Sequence, residues 1–127
     1  MPTNIIERDY ASDWLKREAD SLYSRDQGIL LIGQGVVKSG TVLGRVTASG
    51  KLKVRTLAAA DGSQNVAGIL LDTVDTTNGD ERVVFIARDA IVAHQGLTRG
   101  SDVDTAAERA TENAALAALG ILVREGA

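Results

Sequence analysis

Between Gly28 and Val92 the chain is a succession of short β-branched runs, cut every few residues by Gly, Asn, Asp or Ser. That rhythm leaves room for strands and little else. Ile29–Ile32 is followed by Gly33-Gln34-Gly35, then Val36-Val37, then the turn Lys38-Ser39-Gly40. Thr41–Thr47 and Lys51–Leu57 flank the three-residue turn Ala48-Ser49-Gly50, the pattern of a hairpin with a bulge. Val66–Val74 and Arg82–Val92 are the longest strand candidates, and the Asn78-Gly79 pair between them is a strong turn signal. The continuous runs Ile69-Leu70-Leu71 and Val83-Val84-Phe85-Ile86 predict burial on both faces, and therefore central strands.

The period changes near residue 105. Thr105-Ala106-Ala107-Glu108 has the form of a capping box, in which hydroxyl and carboxylate each satisfy a backbone N–H of the first turn. Ala-rich sequence carries a helix over about 105–119, Gly120 stops it in a left-handed conformation, and Ile121-Leu122-Val123 forms a short last strand.

The first 27 residues differ in texture. Nine Asp, Glu or Arg side chains fall between Glu7 and Asp26, yet Tyr10, Trp14 and Tyr23 are three of the chain's four aromatic residues. Aromatic anchors on a charged segment suit docking onto a partner. A helix from Ser12 to about Leu22, folding Leu15, Ala19 and Leu22 back onto the body, accounts for the same residues equally well. The division drawn is an N-terminal arm, 1–27, and a β-rich domain, 28–127, within a length that fits one core.

Composition narrows the function. Seventeen acidic against fourteen basic side chains give a net charge of -3, with no basic stripe, which argues against direct nucleic-acid binding. With no Cys and only His94 for imidazole, neither a thiolate metal site nor a Cys-His pair can form within one chain, and no metal or other cofactor is expected. His94 is expected in a solvated loop. The Gly33–Gly40 stretch lacks the spacing of a phosphate loop and precedes strand instead of helix. The carboxylates Asp72, Asp75, Asp80 and Glu81 fit no calcium loop, while Asp102 and Asp104 fit the dipole of the following helix. Lys51, Lys53, Arg55, Arg82 and Arg88 alternate with apolar positions as outward residues of a half-buried sheet do. No serine has a histidine partner other than His94, so an enzyme is not expected. The N-terminus lacks the basic start and apolar run of a signal peptide, and no apolar stretch nears the roughly 20 residues of a membrane helix, so no membrane partner is expected.

One succession of segments is more specific than any of its parts. Ser24-Arg25-Asp26 leads into a strand, followed by Val37-Lys38-Ser39-Gly40-Thr41-Val42-Leu43-Gly44-Arg45-Val46-Thr47-Ala48-Ser49-Gly50-Lys51. Asp61-Gly62-Ser63, Val66-Ala67-Gly68-Ile69-Leu70, Arg88-Asp89-Ala90 and the closing Ala115–Arg124 complete the order. From Ser24 to Arg124 this resembles the lambda-type phage head decoration proteins. The resemblance implies a mainly β, β-clip-like or barrel-like domain with one C-terminal helix and an extended or partly helical N-terminal arm. It implies a homotrimer on the outer surface of the virion head, made in the host cytoplasm. There it clamps the major capsid protein at three-fold and quasi-three-fold positions of the expanded shell against the pressure of packaged DNA. On that reading the arm touches the shell, with Ile5, Ile6, Tyr10, Trp14, Leu15, Tyr23 and Arg25 as its contact residues. The alternative is a β-clip module for a carbohydrate or other small ligand, which needs an aromatic-lined pocket and has only Phe85 in the β region. A β-clip nucleotide pyrophosphatase, needing clustered Asp and a phosphate loop, is a distant third.

Overall fold

The computed structural model describes residues 14–19 and 24–124. Ten strands and one helix are present among them. In order they are β1 (Leu15–Glu18), β2 (Arg25–Leu30), β3 (Val36–Val37), β4 (Val42–Arg45), β5 (Leu52–Val54), β6 (Val66–Leu70), β7 (Val74–Asp75), β8 (Glu81–Ile86), β9 (Ala90–Ala93), α1 (Ala106–Ala118) and β10 (Ile121–Arg124).

Five strands close a barrel in the order β2-β5-β4-β6-β8. Its pairings are antiparallel except β2 with β5, which meet at Leu30↔Leu52. As the turn at Ala48-Ser49-Gly50 predicts, β4 and β5 form a hairpin, closed by Val46 N–H on the Lys51 carbonyl and Gly50 N–H on that of Val46. A separate three-stranded sheet, β1-β9-β10, and a two-stranded ribbon, β3-β7, flank the barrel.

The apolar runs divide between two cores. Leu30, Leu43, Leu52, Leu70, Val83 and Phe85 fill the barrel, as side chains must in a barrel this narrow. Trp14, Val42, Ile69, Ile86, Val92, Leu116 and Ile121 form the second, which joins barrel wall, three-stranded sheet and helix. Successive residues Ile69 and Leu70, and likewise Phe85 and Ile86, therefore face opposite cores. The expected two-sided burial has this cause: β6 and β8 are the wall between them.

Both long strand candidates break. The Val66–Val74 run ends at Leu70, and Val74 starts β7, which pairs with β3 instead. The Arg82–Val92 run breaks at Ala87–Asp89, where Asp89 takes φ 51 and sends β9 out of the barrel into the other sheet. The Asn-Gly turn is not made either, since neither Asn78 nor Gly79 has positive φ. Asp75 captures the loop first by accepting from Thr77 N–H and hydroxyl, and Asp80 fixes its far end on Ile32 N–H and Lys51.

The helix is capped as expected, Thr105 Oγ1 accepting from Glu108 N–H and Glu108 from Thr105 N–H, and Gly120 ends it at φ 83. The other terminus differs from the helical reading. Residues 15–18 are strand where one of the two readings had helix, and β2 starts at Arg25, two residues before the end of the arm as drawn.

Candidate docking face

Trp14 is fully buried. Its indole N–H donates to Ser39 Oγ at 2.8 Å, and that hydroxyl donates to the Leu71 carbonyl at 2.6 Å. Ring and polar tip are both satisfied within the chain. Leu15, next along β1, packs against the same core. Arg25 opens β2 and reaches back to Glu18, Nη2 lying 2.6 Å from Oε1, while Ser24 donates to the other carboxylate oxygen at 2.6 Å. The Arg25 hydrogen bond holds the Glu18 carboxyl below its ordinary value against the opposing effect of burial, and Glu18 in turn raises Arg25. Three residues expected to meet a partner, Trp14, Leu15 and Arg25, thus make contacts that tie β1 to the body. Ile5, Ile6, Tyr10 and Tyr23 lie outside the described residues.

That mooring fixes one end of the sheet. In the three-stranded sheet β1 is antiparallel to the central β9, with Leu15↔Val92, and β10 is parallel to it, with Arg124↔Ala93. Leu15 and Arg124, the described ends of β1 and β10, therefore lie at one end of the sheet, two strand spacings or about 10 Å apart.

Behind the sheet, α1 is tied down by charge. Glu112, fully buried, accepts from Arg55 at 2.5 Å and from Arg99 at 2.9 Å, and both guanidiniums are nearly as buried. Arg55 also donates to the Gln64 carbonyl at 2.8 Å. The outward position expected for Arg55 is wrong because the chain has already left β5 at Val54. His94 is not a solvated loop residue: it sits half-buried in a 3₁₀ turn with Nδ1 3.0 Å from Arg99 Nη2, and arginine being only a donor, Nδ1 accepts. Asp102 does not serve the helix dipole. Its carboxylate accepts from Ala58 N–H at 3.0 Å, and backbone hydrogen bonds from Leu57 and Ala58 hold it below the ordinary range.

Elsewhere the candidate chemistry is dispersed. Among the described residues no three His, Asp or Glu side chains converge as metal ligands, and no helix is long and apolar enough to cross a membrane. Phe85, the aromatic on which a ligand pocket depends, is buried inside the barrel. Large apolar side chains are exposed at Ile32, Val36 and Leu122. Ile32 and Val36 flank a turn held by Gly33 N–H on the Thr76 carbonyl and Gln34 N–H on Thr76 Oγ1.

No individual curated protein matches the chain. The family model described as bacteriophage lambda head decoration protein D matches residues 4–121, which includes all ten strands but the last three residues of β10 and the whole of α1. The match spans nearly the full length, and the chain belongs to the bacteriophage lambda head decoration protein D family.

Proposed function

We propose that this protein cements the phage head: it assembles as trimers on the outer surface of the expanded shell at three-fold and quasi-three-fold positions, and holds neighbouring capsid subunits together against packaged DNA. Family membership already makes it a structural component of the virion capsid. The observation that supports the finer reading is that Leu15 and Arg124, the described ends of β1 and β10, lie at one end of a sheet whose first strand is moored by Trp14 and Glu18.

The contact falls to residues 1–13, with Ile5, Ile6 and Tyr10 as its apolar anchors, and Tyr23 in the short link between β1 and β2 as a fourth. Burying aliphatic and aromatic side chains supplies the affinity. Three segments on one trimer bind a repeating lattice together, so each contact can be modest alone. Association also adds to a core that contains one Phe and one Trp among its large side chains.

Deleting residues 1–13, and no more, tests this. The truncated protein should keep its circular dichroism and melting temperature yet fail to co-sediment with undecorated expanded heads. Undiminished binding overturns the assignment.

A further inference from the structure

We propose that Asn78 is a self-modifying site: its side-chain amide is lost to attack by the Gly79 backbone nitrogen, leaving aspartate and isoaspartate in the loop between β7 and β8. The inference goes beyond the decoration reading and does not rest on it.

Asn78-Gly79 is the one Asn-Gly pair in the chain, and the turn it predicts is not made. The loop around it is held at two posts. On the near side Thr76 donates N–H and hydroxyl to the Gly35 carbonyl, each at 2.8 Å, and Thr77 gives its own N–H and hydroxyl to Asp75. On the far side Asp80 accepts from Ile32 N–H and from Lys51 Nζ, each at 2.8 Å. Between the posts Asn78 is exposed, and among the described residues neither its side chain nor the Gly79 N–H has a hydrogen-bond partner. Gly79 has no Cβ, and nothing lies within 4 Å of where one would stand, so no contact bars the nitrogen from Asn78 Cγ.

The step needs water alone as co-reactant. The Gly79 nitrogen gives its proton to solvent and bonds to Asn78 Cγ. The Cγ–Nδ2 bond breaks, and the amide nitrogen takes up a proton and leaves as ammonia. Water then opens the five-membered imide. Cleavage of the new Cγ–N bond gives aspartate, and cleavage of the original peptide bond gives isoaspartate, with the chain rerouted through the side chain. Either product places a further carboxylate between Asp75 and Asp80, on a chain of net charge -3.

The chain's other candidates are protected. Asp61-Gly62 could close the same ring, but Asp61 Oδ1 accepts from Ser63 N–H and hydroxyl, and Gly62 N–H donates to Gln64 Oε1 at 2.9 Å. The Ser63 hydrogen bonds also hold the Asp61 carboxyl below its ordinary range, in the anionic form that resists nucleophilic attack. Asn65 precedes the β-branched Val66, which opens β6 and crowds its own nitrogen. Asn113 lies within α1, whose hydrogen bonds hold the amide that follows it.

The test incubates the full chain in mildly alkaline buffer and follows Asn65, Asn78, Asn113 and Asp61 by peptide mapping, with isoaspartate read by enzymatic methylation. Asn78 should lose its amide at least about tenfold faster than Asn65 or Asn113, and Asp61 should remain aspartate. Gly79→Ala, whose added Cβ meets nothing, should keep the wild-type melting temperature and slow the loss at Asn78 at least about tenfold. Loss at Asn78 no faster than at Asn65 and Asn113, or equally fast in Gly79→Ala, overturns the proposal. Aspartate at position 78 without isoaspartate overturns it too, because direct hydrolysis of the amide passes through no imide.

Discussion

Arg55 and Glu112, fifty-seven positions apart, meet at 2.5 Å with side-chain exposures of 7% and 0%. Arg99 completes the cluster from the other side of the carboxylate. Removing one member of a buried ionic cluster leaves charge with neither water nor partner, which costs about 3–5 kcal/mol. Glu112→Gln, which keeps the shape and deletes the charge, should lower the unfolding free energy by that amount in urea titration. Replacing all three by apolar residues, Arg55→Met, Arg99→Met and Glu112→Leu, should recover most of the loss, the Gln64 carbonyl deprived of its donor being the remainder. If Glu112→Gln is neutral, the cluster does not hold the helix.

Trp14 supplies a second check, because a partner contact and a core residue behave oppositely in the unbound protein. Trp14→Ala should cost about 3–5 kcal/mol in the absence of any head. Trp14→Phe, which retains most of the volume and loses the indole donor to Ser39, should cost about 1 kcal/mol. As the chain's single tryptophan, Trp14 should emit at short wavelength until unfolding shifts it red. Melting curves indistinguishable from wild type for Trp14→Ala would return this residue to the partner surface.

What could be read from sequence was whatever local chemistry decides. The Thr105-x-x-Glu108 cap, the stop at Gly120 and the β4–β5 hairpin each depend on residues within a few positions, and all three are present. The two-sided burial of β6 and β8 was legible as well, from unbroken apolar runs. Arg55 was misread because its ionic partner Glu112 lies 57 positions onward in sequence, where strand alternation carries no information. One signal was available: Glu112 precedes Leu116 by one helical turn and so shares its inward face. The burial of Trp14 was not legible because the charge of its neighbours says nothing of Ser39, twenty-five residues away. The Asn-Gly turn lost to Asp75, whose side chain captured the same loop two residues on.

The Glu18–Arg25 pair ties β1 to β2 and makes the protein acid-sensitive. Its carboxyl is held below the ordinary value of 4.5 in the folded state, chiefly by the Arg25 hydrogen bond. Stability from such a group is complete above the unfolded value and is lost as pH falls through the folded one. Between about pH 7 and about pH 3 the urea midpoint should therefore fall, and less steeply in Glu18→Gln than in the wild type. Since the pair anchors the strand that leads into residues 1–13, the variant should also weaken head binding at neutral pH without abolishing the fold. Parallel pH profiles in the two proteins would mean that the pair contributes nothing to stability.

Gly44 marks where the barrel wall has no tolerance. A Cβ at this position would lie 1.9 Å from the Ser63 carbonyl oxygen and 2.6 Å from its carbon. These are backbone atoms of a buried residue whose amide and hydroxyl are both committed to Asp61, so the loop cannot give way by turning a side chain. Gly44→Ala should cost about 3 kcal/mol, the upper end for an overpacked site. Gly50 is the matched comparison, because it takes φ 73 in the hairpin turn and has nothing within 4 Å of an added Cβ. Gly50→Ala should cost only the left-handed strain of a residue with a side chain, about 1–2 kcal/mol. Unfolding titrations of the two variants give the order directly. Equal losses would show that conformational strain, and not the contact between β4 and the Asp61–Ser63 loop, sets the limit on this side of the barrel.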